Sequence, residues 1–548
     1  MGANPIAFAK WLLGPEIPGD SRPGHLWARW IFLRALGLIY FSAFYSLLFQ
    51  IKGLIGPDGI LPAADYLQAV AGALHAQRFW FAPTLLWFNA SNQALMLVCW
   101  VGLIASLLVV MNFWPRATLV VCFICFLSFV SAAQDFSNYQ SDGMLLEAGF
   151  ISIFFAPPGI WPGLARAHAA SRLSRFLLQW EWFRIYFESG LVKILSGDQS
   201  WRNLTAMDDY YQNGPLPSWI GWYVQHLPHW FHASAVVYTF LVELFVVWLL
   251  FFPRRLRILC FLIVTPFEIS IILTANYTFL NYLVLLLGVL LLDDRFLEWV
   301  IPQRLRDLVE PKPVLPPTPD SSPESQPQPS SESWRALWRR RLTHTRLVIA
   351  AFFLLWIFYS TTAQLIWTID RKIYLPVEPI ARLEPFRIAN RYGLFAIMTH
   401  ARYEIEFQGS RDGGKTWLTY PFLYKPQDVN KAPGIYAPYQ PRFEWNLWFA
   451  SLGNWRQYHF VVWTEERLLR SDTDVLELFA SNPFGGGSPP TQIRAVMWQY
   501  WFTDMQTKRA TGAWWRREFL GNYAPGLERL PDGKIILNDV AITEAPPP

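Results

Sequence analysis

The chain has 548 residues, 53% hydrophobic and 16% charged, with a mean hydropathy of +0.20 and a formal net charge of +5. These values exclude an ordinary soluble enzyme and suit a multi-pass membrane protein. The basic residues gather at the ends of apolar runs, as membrane topology requires, so the small positive charge gives no argument for nucleic acid as a partner.

The first segment, 1–29, is polar and Pro-rich. It reads as cytoplasmic, without a cleavable signal peptide, and MGANPI lacks the hydroxyl residue of a myristoylation signal. A spanning helix needs about 20 apolar residues, because each adds about 1.5 Å across about 30 Å of hydrocarbon. Nine runs qualify: 30–50, 93–113, 116–134, 142–158, 176–195, 233–252, 257–275, 277–292 and 346–368. The run 142–158 is the weakest, since it carries Asp142 and Glu147 and ends in APPG. RFWFAPTLLWFN, just before the second run, reads as an interfacial or re-entrant piece. The 29 Trp suit a chain with much interfacial surface.

Charge sets the orientation. With the N-terminus cytoplasmic, the inner loops hold Arg116, then Arg166, Arg172 and Arg175, then Arg254, Arg255 and Arg257. The last inner segment carries Arg304, Arg306 and Arg339 to Arg341. The outer loops hold Asp135, Asp198, Asp208 and Asp209. This is the positive-inside pattern, and an odd number of spans puts the C-terminal part outside the cytoplasm.

The expected organisation is therefore a cytoplasmic segment 1–29, a body of about eight spans over 30–301, a cytoplasmic linker 302–343, a ninth span 344–370 and an extracytoplasmic β-rich domain 371–548. The linker core, PKPVLPPTPDSSPESQPQPSSES, cannot build a hydrophobic core. In the last part, ARYEIEFQGSRDGGKTWLTYPFLY alternates, turns and resumes, which is a β-hairpin. Its turn resembles an Asp-box, with Ser410, Asp412, Gly414, Thr416 and Trp417 in the S-x-D-x-G-x-T-W pattern. That motif stabilises hairpins and is not catalytic. Further strands are expected at 458–464 and 493–503, with a helix around 443–450, in a β-sandwich-like domain.

Four cysteines, Cys99, Cys122, Cys125 and Cys260, all lie in apolar runs. Cys122 and Cys125 have CxxC spacing but no second ligand pair, so helix packing explains them. His226, His229 and His232 could touch a metal by spacing, but Pro228 interrupts the helix that would align them. There is no P-loop, dinucleotide fingerprint, G-x-S-x-G or HExxH. No metal and no cofactor are expected.

The fifth run carries Glu181, Arg184, Glu188 and Lys193. Facing lipid, four such charges would cost on the order of 10 kcal/mol, so they face the bundle interior, a cavity or the interface. Glu181, Arg184 and Glu188 share one stripe and can pair in sequence. Lys193 lies about 140° round the helix from Glu188 and needs a partner from another helix. Glu147, Glu243 and Glu268 are the candidates, each in a different run. Together with Asp142 these groups form the expected intramembrane polar network. Either the charges fix helix rotation, or they line a functional cavity in which Lys193, with Glu188 and Glu147, is the first catalytic candidate.

Several stretches carry a resemblance to a known family. They are NYQSDGMLLEAGFISIFFAP, FRIYFESGLVKILSGDQSWRNLTAMDDYY, PLPSWIGWYVQHLPHWFH and NYTFLNYLVLLLGVLLLDD, then EPFRIANRYGLFAIMT, YEIEFQGSRDGGKTW and WWRREFLGNYAPGL. By these the chain resembles the lipase maturation factors. The resemblance implies a protein that helps homodimeric lipases to fold and assemble, with membrane lipids and secreted or periplasmic client proteins as partners. It also implies an endoplasmic reticulum membrane in eukaryotes and an inner membrane in bacteria, and the plain ending TEAPPP points to the latter. YFESGLVKILSGDQSW is also similar to the vitamin K-dependent γ-carboxylase, by which Tyr186, Gly190, Lys193 and Trp201 match its pattern; Arg202 completes this chain's signature. That second likeness implies, as the alternative, a membrane enzyme modifying a lipid or peptide in an intramembrane cavity.

Overall fold

Hydrocarbon offers no partners for backbone N–H and C=O groups, so long apolar runs satisfy them internally as helices. In the computed structural model, which describes residues 24–137, 139–166, 168, 171–309, 334–485 and 487–538, every expected run lies on a helix. The segment before residue 24, the stretch 311–333 and the side chains of Arg339 to Arg341 lie outside the described residues. The helices are α1 Leu26–Leu48, α2 Asn92–Val110, α3 Pro115–Val130, α4 Gln140–Phe155, α5 Arg172–Leu195, α6 His229–Phe251, α7 Arg254–Thr274, α8 Leu280–Leu291 and α9 Trp334–Ile369.

Five helices are long and apolar enough to cross a membrane: α1, α2, α6, α7 and the Thr345–Ile369 part of α9. Five of the nine expected runs thus meet the length and apolarity of a span. α3 and α8 are apolar but shorter. α5 is long enough but carries too many charges, and α4 is both short, at 16 residues, and interrupted by Asp142 and Glu147. Helix starts follow local chemistry. Ser91 accepts from the Ala94 amide and Ser171 from the Ser174 amide, and Pro115 opens α3 where its missing N–H costs nothing. Leu97, Trp100 and Ile104 leave an exposed apolar stripe on α2, as a lipid-facing helix should. RFWFAPTLLWFN forms two short helical turns, with Phe79, Trp80, Phe81 and Phe88 exposed.

The C-terminal part is one six-stranded antiparallel sheet: β1 Arg402–Ser410, β2 Leu418–Thr419, β3 Gln492–Phe502, β4 Trp515–Asn522, β5 Gly526–Arg529 and β6 Ile535–Asn538. Its order is β2-β1-β3-β5-β6, with β4 also paired to β3. Among the described residues no second sheet faces it, so the sandwich expectation is corrected. Instead α10 (Arg442–Ser451) packs on β1, and α11 (Phe460–Arg470) packs on β3 and β5. The strand expected at 458–464 is therefore helix. Phe460, Val461, Thr464, Glu465, Leu468 and Leu469 are its buried residues, a helical period visible only when TEERLLR is read with YHFVVW. The hairpin turn closes on Asp412, whose carboxylate accepts from the Lys415 and Thr416 amides and both the Ser410 and Thr416 hydroxyls. Gly414 has φ +83°, a region costly for side-chain-bearing residues.

Buried polar contacts weld the sheet to the helical body. Arg442 donates two bonds to Asp142 of α4, at 2.7 and 2.8 Å, and a third to the Phe136 carbonyl. Arg402 enters a ring of carbonyls from Gln212, Gly214 and Pro215. Asn276, just after α7, joins Gly434, Tyr436 and Ala437. Breaking a buried pair such as Arg442–Asp142 typically costs about 3–5 kcal/mol, so these contacts resist separation of the two parts.

Within the sheet part, Glu444 of α10 accepts from the Leu423, Tyr424 and Lys425 amides. Burial pushes its carboxyl up from an ordinary 4.5 to about 7, against the lowering pull of those amides. An acid whose folded pKa lies above its unfolded value binds more proton when folded. Its contribution to stability is then full below about 4.5 and is lost as the pH rises through about 7. The thermal midpoint of the C-terminal part is expected to fall over that window, and Glu444→Gln to flatten the slope. An equal slope in the variant, read by unfolding at several pH values, would refute the assignment.

Candidate functional site

The charges of α5 divide between two clusters on two sides of the helix. In the first, Arg184 meets Glu147 of α4, with Glu188 4.0 Å from its other terminal nitrogen. The expected pairing along one stripe is thus partial: the main partner comes from the neighbouring helix. Arg184 also donates to the Asn390 carbonyl at 2.7 Å. Asn390 returns its backbone N–H and side-chain amide to Glu147 at 2.9 and 3.0 Å. The Tyr392 hydroxyl donates to Glu147 at 2.9 Å and lies 3.4 Å from Glu181, and its amide donates to Glu188 at 2.6 Å. The Leu394 amide reaches the Ser189 hydroxyl. All four ionisable side chains are buried.

Sequence reasoning missed this partner segment, residues 390–394. Its contribution is mostly main-chain N–H and C=O, which every residue carries and no pattern advertises. The signal available was NRYG, polar residues just beyond the ninth run.

In the second cluster, Lys193 lies within 2.9 and 2.8 Å of the two Glu243 oxygens. Of the three candidate partners the structure selects Glu243. Its ammonium also stands 5.2 Å from the Trp201 ring centre, a cation–π contact. Trp201 donates to the Phe395 carbonyl. Glu268 accepts from the Tyr186 hydroxyl and the Asn281 side-chain amide, each at 2.6 Å. At Gly190 α5 and α6 pack tightly: a Cβ there would lie 2.7 Å from Leu244 and 3.0 Å from Glu243. Arg202 is exposed and takes no part.

Two breaks in helix regularity place these carboxylates. Glu243 sits in a π-helical turn, Leu241–Phe245, inside α6, and the helix tightens to 3-10 geometry from Val246. A π turn adds one residue and rotates the next side chains, a device common at functional sites. Glu268 follows Pro266, which lies inside α7. Neither break was foreseen.

Tyr186, Lys193, Trp201, Glu243, Glu268 and Asn281 border a cavity of about 860 Å³, its open mouth included. Tyr238 of α6 and Ser270 of α7 stand exposed at its edge, and the Tyr238 hydroxyl bridges to the Ile263 carbonyl. Asp142, Glu147, Glu181, Arg184 and Glu188 are not among its lining residues. The expected network is therefore two: one fastens the C-terminal part, the other lines a cavity. The three histidines do not converge. His226 bonds the Trp222 and Thr503 carbonyls, His229 bonds Asp208, and His232 is buried without a hydrogen-bond partner. Among the described residues no three His, Cys, Asp or Glu gather closely enough to hold a metal ion.

A polytopic helical body, polar inside and fastened to an antiparallel sheet through its charged helices, defines an integral membrane protein. Residues 27–299 match the lipase maturation factor transmembrane domain, and residues 388–525 match the lipase maturation factor C-terminal domain. The chain is 31% identical over 534 residues to lipase maturation factor 1 of Mus musculus, covering 95% of this chain and 90% of that protein. It is 30% identical over 533 residues to lipase maturation factor 1 of Bos taurus, covering 93% and 91%. It is also 30% identical over 632 residues to lipase maturation factor 2 of Homo sapiens, covering 95% and 85%. No solved structure matches. The chain belongs to the lipase maturation factor family.

The Lys193–Glu243 pair is expected to behave as a buried couple. Lys193→Met or Glu243→Leu alone strands a charge and is expected to cost about 3–5 kcal/mol, whereas the double variant recovers most of it. A double-mutant cycle on thermal stability in detergent checks this, and additive losses would contradict the pairing.

Proposed function

We propose that this chain is a membrane-embedded maturation factor that presents its C-terminal sheet to secreted proteins as they fold, lipases being the client class. The observation that carries the reading is the match to both family domains, with relatives near 30% identity along almost their whole length. Those relatives are lipase maturation factors, which favours this reading over a membrane enzyme.

The division into body 30–301, linker 302–343, ninth span 344–370 and C-terminal domain 371–548 belongs to the same proposal. So does the orientation, with α3, α4, α5 and α8 spanning beside the five helices that are long and apolar enough. Contacts support it. The sheet docks where α1 ends (Gln50 with Gln440), where α4 begins (Asp142) and where α7 ends (Asn276). Arg116, Arg172 and Arg254 lie at the starts of α3, α5 and α7, the opposite end of the body. The positive-inside rule then puts the sheet in the bacterial periplasm or, for a eukaryotic member, the reticulum lumen. The Asp-box hairpin is rigid framework in this reading, with Trp417 beneath the Arg494 guanidinium.

Co-expression with a secreted homodimeric lipase tests the proposal. The full chain is expected to raise lipase activity per molecule of lipase, and a chain ending after residue 370 is expected to fail. Equal support from the truncated chain would refute the role of the sheet.

A further inference from the structure

The cavity beside α5 has features that docking of the sheet does not explain. Its lining holds two carboxylates, Glu243 and Glu268, against one cation, Lys193. Lys193 is already paired with Glu243 through both oxygens. Glu268 has two neutral donors, Tyr186 and Asn281, and no cation paired with it among the described residues. A buried carboxylate without a cation is costly unless a ligand or a proton compensates it. The surrounding wall is aromatic: Trp201, Tyr210, Tyr211, Phe267 and Phe395 line the same space. Excess negative charge inside aromatic walls is the chemistry that recognises an ammonium group.

The cavity also has a side entrance. Its residues come from the second half of α5, the last turns of α7, residues 235–243 of α6 and the start of α8, with Trp201, the short helix Ala206–Asn213, Leu394 and Phe395 completing the wall. Its mouth lies between α6 and α7, where Tyr238 and Ser270 are exposed beside the apolar surface residues Val237, Leu262 and Ile269. A group entering there comes from the bilayer.

We propose that this cavity binds the headgroup of an ammonium-bearing amphiphile of the membrane, with Glu268 as counter-ion and the aromatic walls around the cation. The acyl chains stay in the bilayer beside α6 and α7. Ethanolamine and choline headgroups share this chemistry. They differ in that only the primary ammonium donates hydrogen bonds to the carboxylate. The inference rests on the membrane placement of the helical body and is independent of the client.

The test uses the purified full chain and an equal mixture of phosphatidylethanolamine, phosphatidylcholine and phosphatidylglycerol with identical acyl chains. Native mass spectrometry reads which lipid is retained. The wild type is expected to keep an ammonium headgroup over phosphatidylglycerol by about tenfold, and Glu268→Gln to lose that preference. Equal or better retention of phosphatidylglycerol by the wild type overturns the proposal, as does an unchanged preference in Glu268→Gln. Ser270→Trp, which blocks the mouth without touching the carboxylate, provides a second variant should Glu268→Gln fail to fold. It is expected to abolish selective retention, and undiminished retention contradicts the proposal. In the wild type alone, dodecyltrimethylammonium is expected to displace the retained lipid. Displacement by a neutral dodecyl maltoside to the same extent overturns the assignment.

Discussion

The structure depends on one constraint: carboxylates buried in the helical body must find donors. α4 and α5 bring Glu147, Glu181 and Glu188 together with a single guanidinium, Arg184. One cation cannot satisfy three acids, and the other donors come from the chain after α9. Amides of Asn390 and Tyr392, with the Tyr392 hydroxyl, reach all three acids, leaving one oxygen each of Glu181 and Glu188 without a hydrogen bond. The polar interior of the body is thus a socket that the C-terminal part fills.

Docking at this socket places other groups. It brings Arg442 onto Asp142 and Arg402 into the carbonyls of residues 212–215. It also seats Leu394 and Phe395 over the second cluster, where Trp201 holds Phe395 in position. The cavity beside Lys193 is therefore bounded partly by the same segment that fastens the sheet. Loosening 390–395 would disturb both the docking of the sheet and the cavity, so a ligand bound there would be coupled to the sheet.

Apolar runs were legible because a membrane leaves helices as the simplest solution, and all nine runs lie on helices. Their length was less informative, since charge in α5 and shortness in α3, α4 and α8 leave five that qualify on length and composition. The hairpin at Ser410–Trp417 was readable because its turn chemistry is local. The strand expected at 458–464 failed because a short alternating window was read apart from the helical period that continues to Leu469. Lys193 was correctly singled out as needing a distant partner, but the choice of Glu243 required the π turn of α6, which no residue pattern announces. Asn390 and Tyr392 were less visible because half of what they contribute is main-chain N–H, which has no letter of its own.

The central claim, that buried body carboxylates hold the chain after α9 through its backbone amides, is tested most directly by hydrogen–deuterium exchange across residues 388–396. The account predicts that the amides of Asn390, Tyr392 and Leu394 exchange as slowly as those in the middle of α5, although they lie in no helix or strand. Exchange at the rate of an open loop would contradict it.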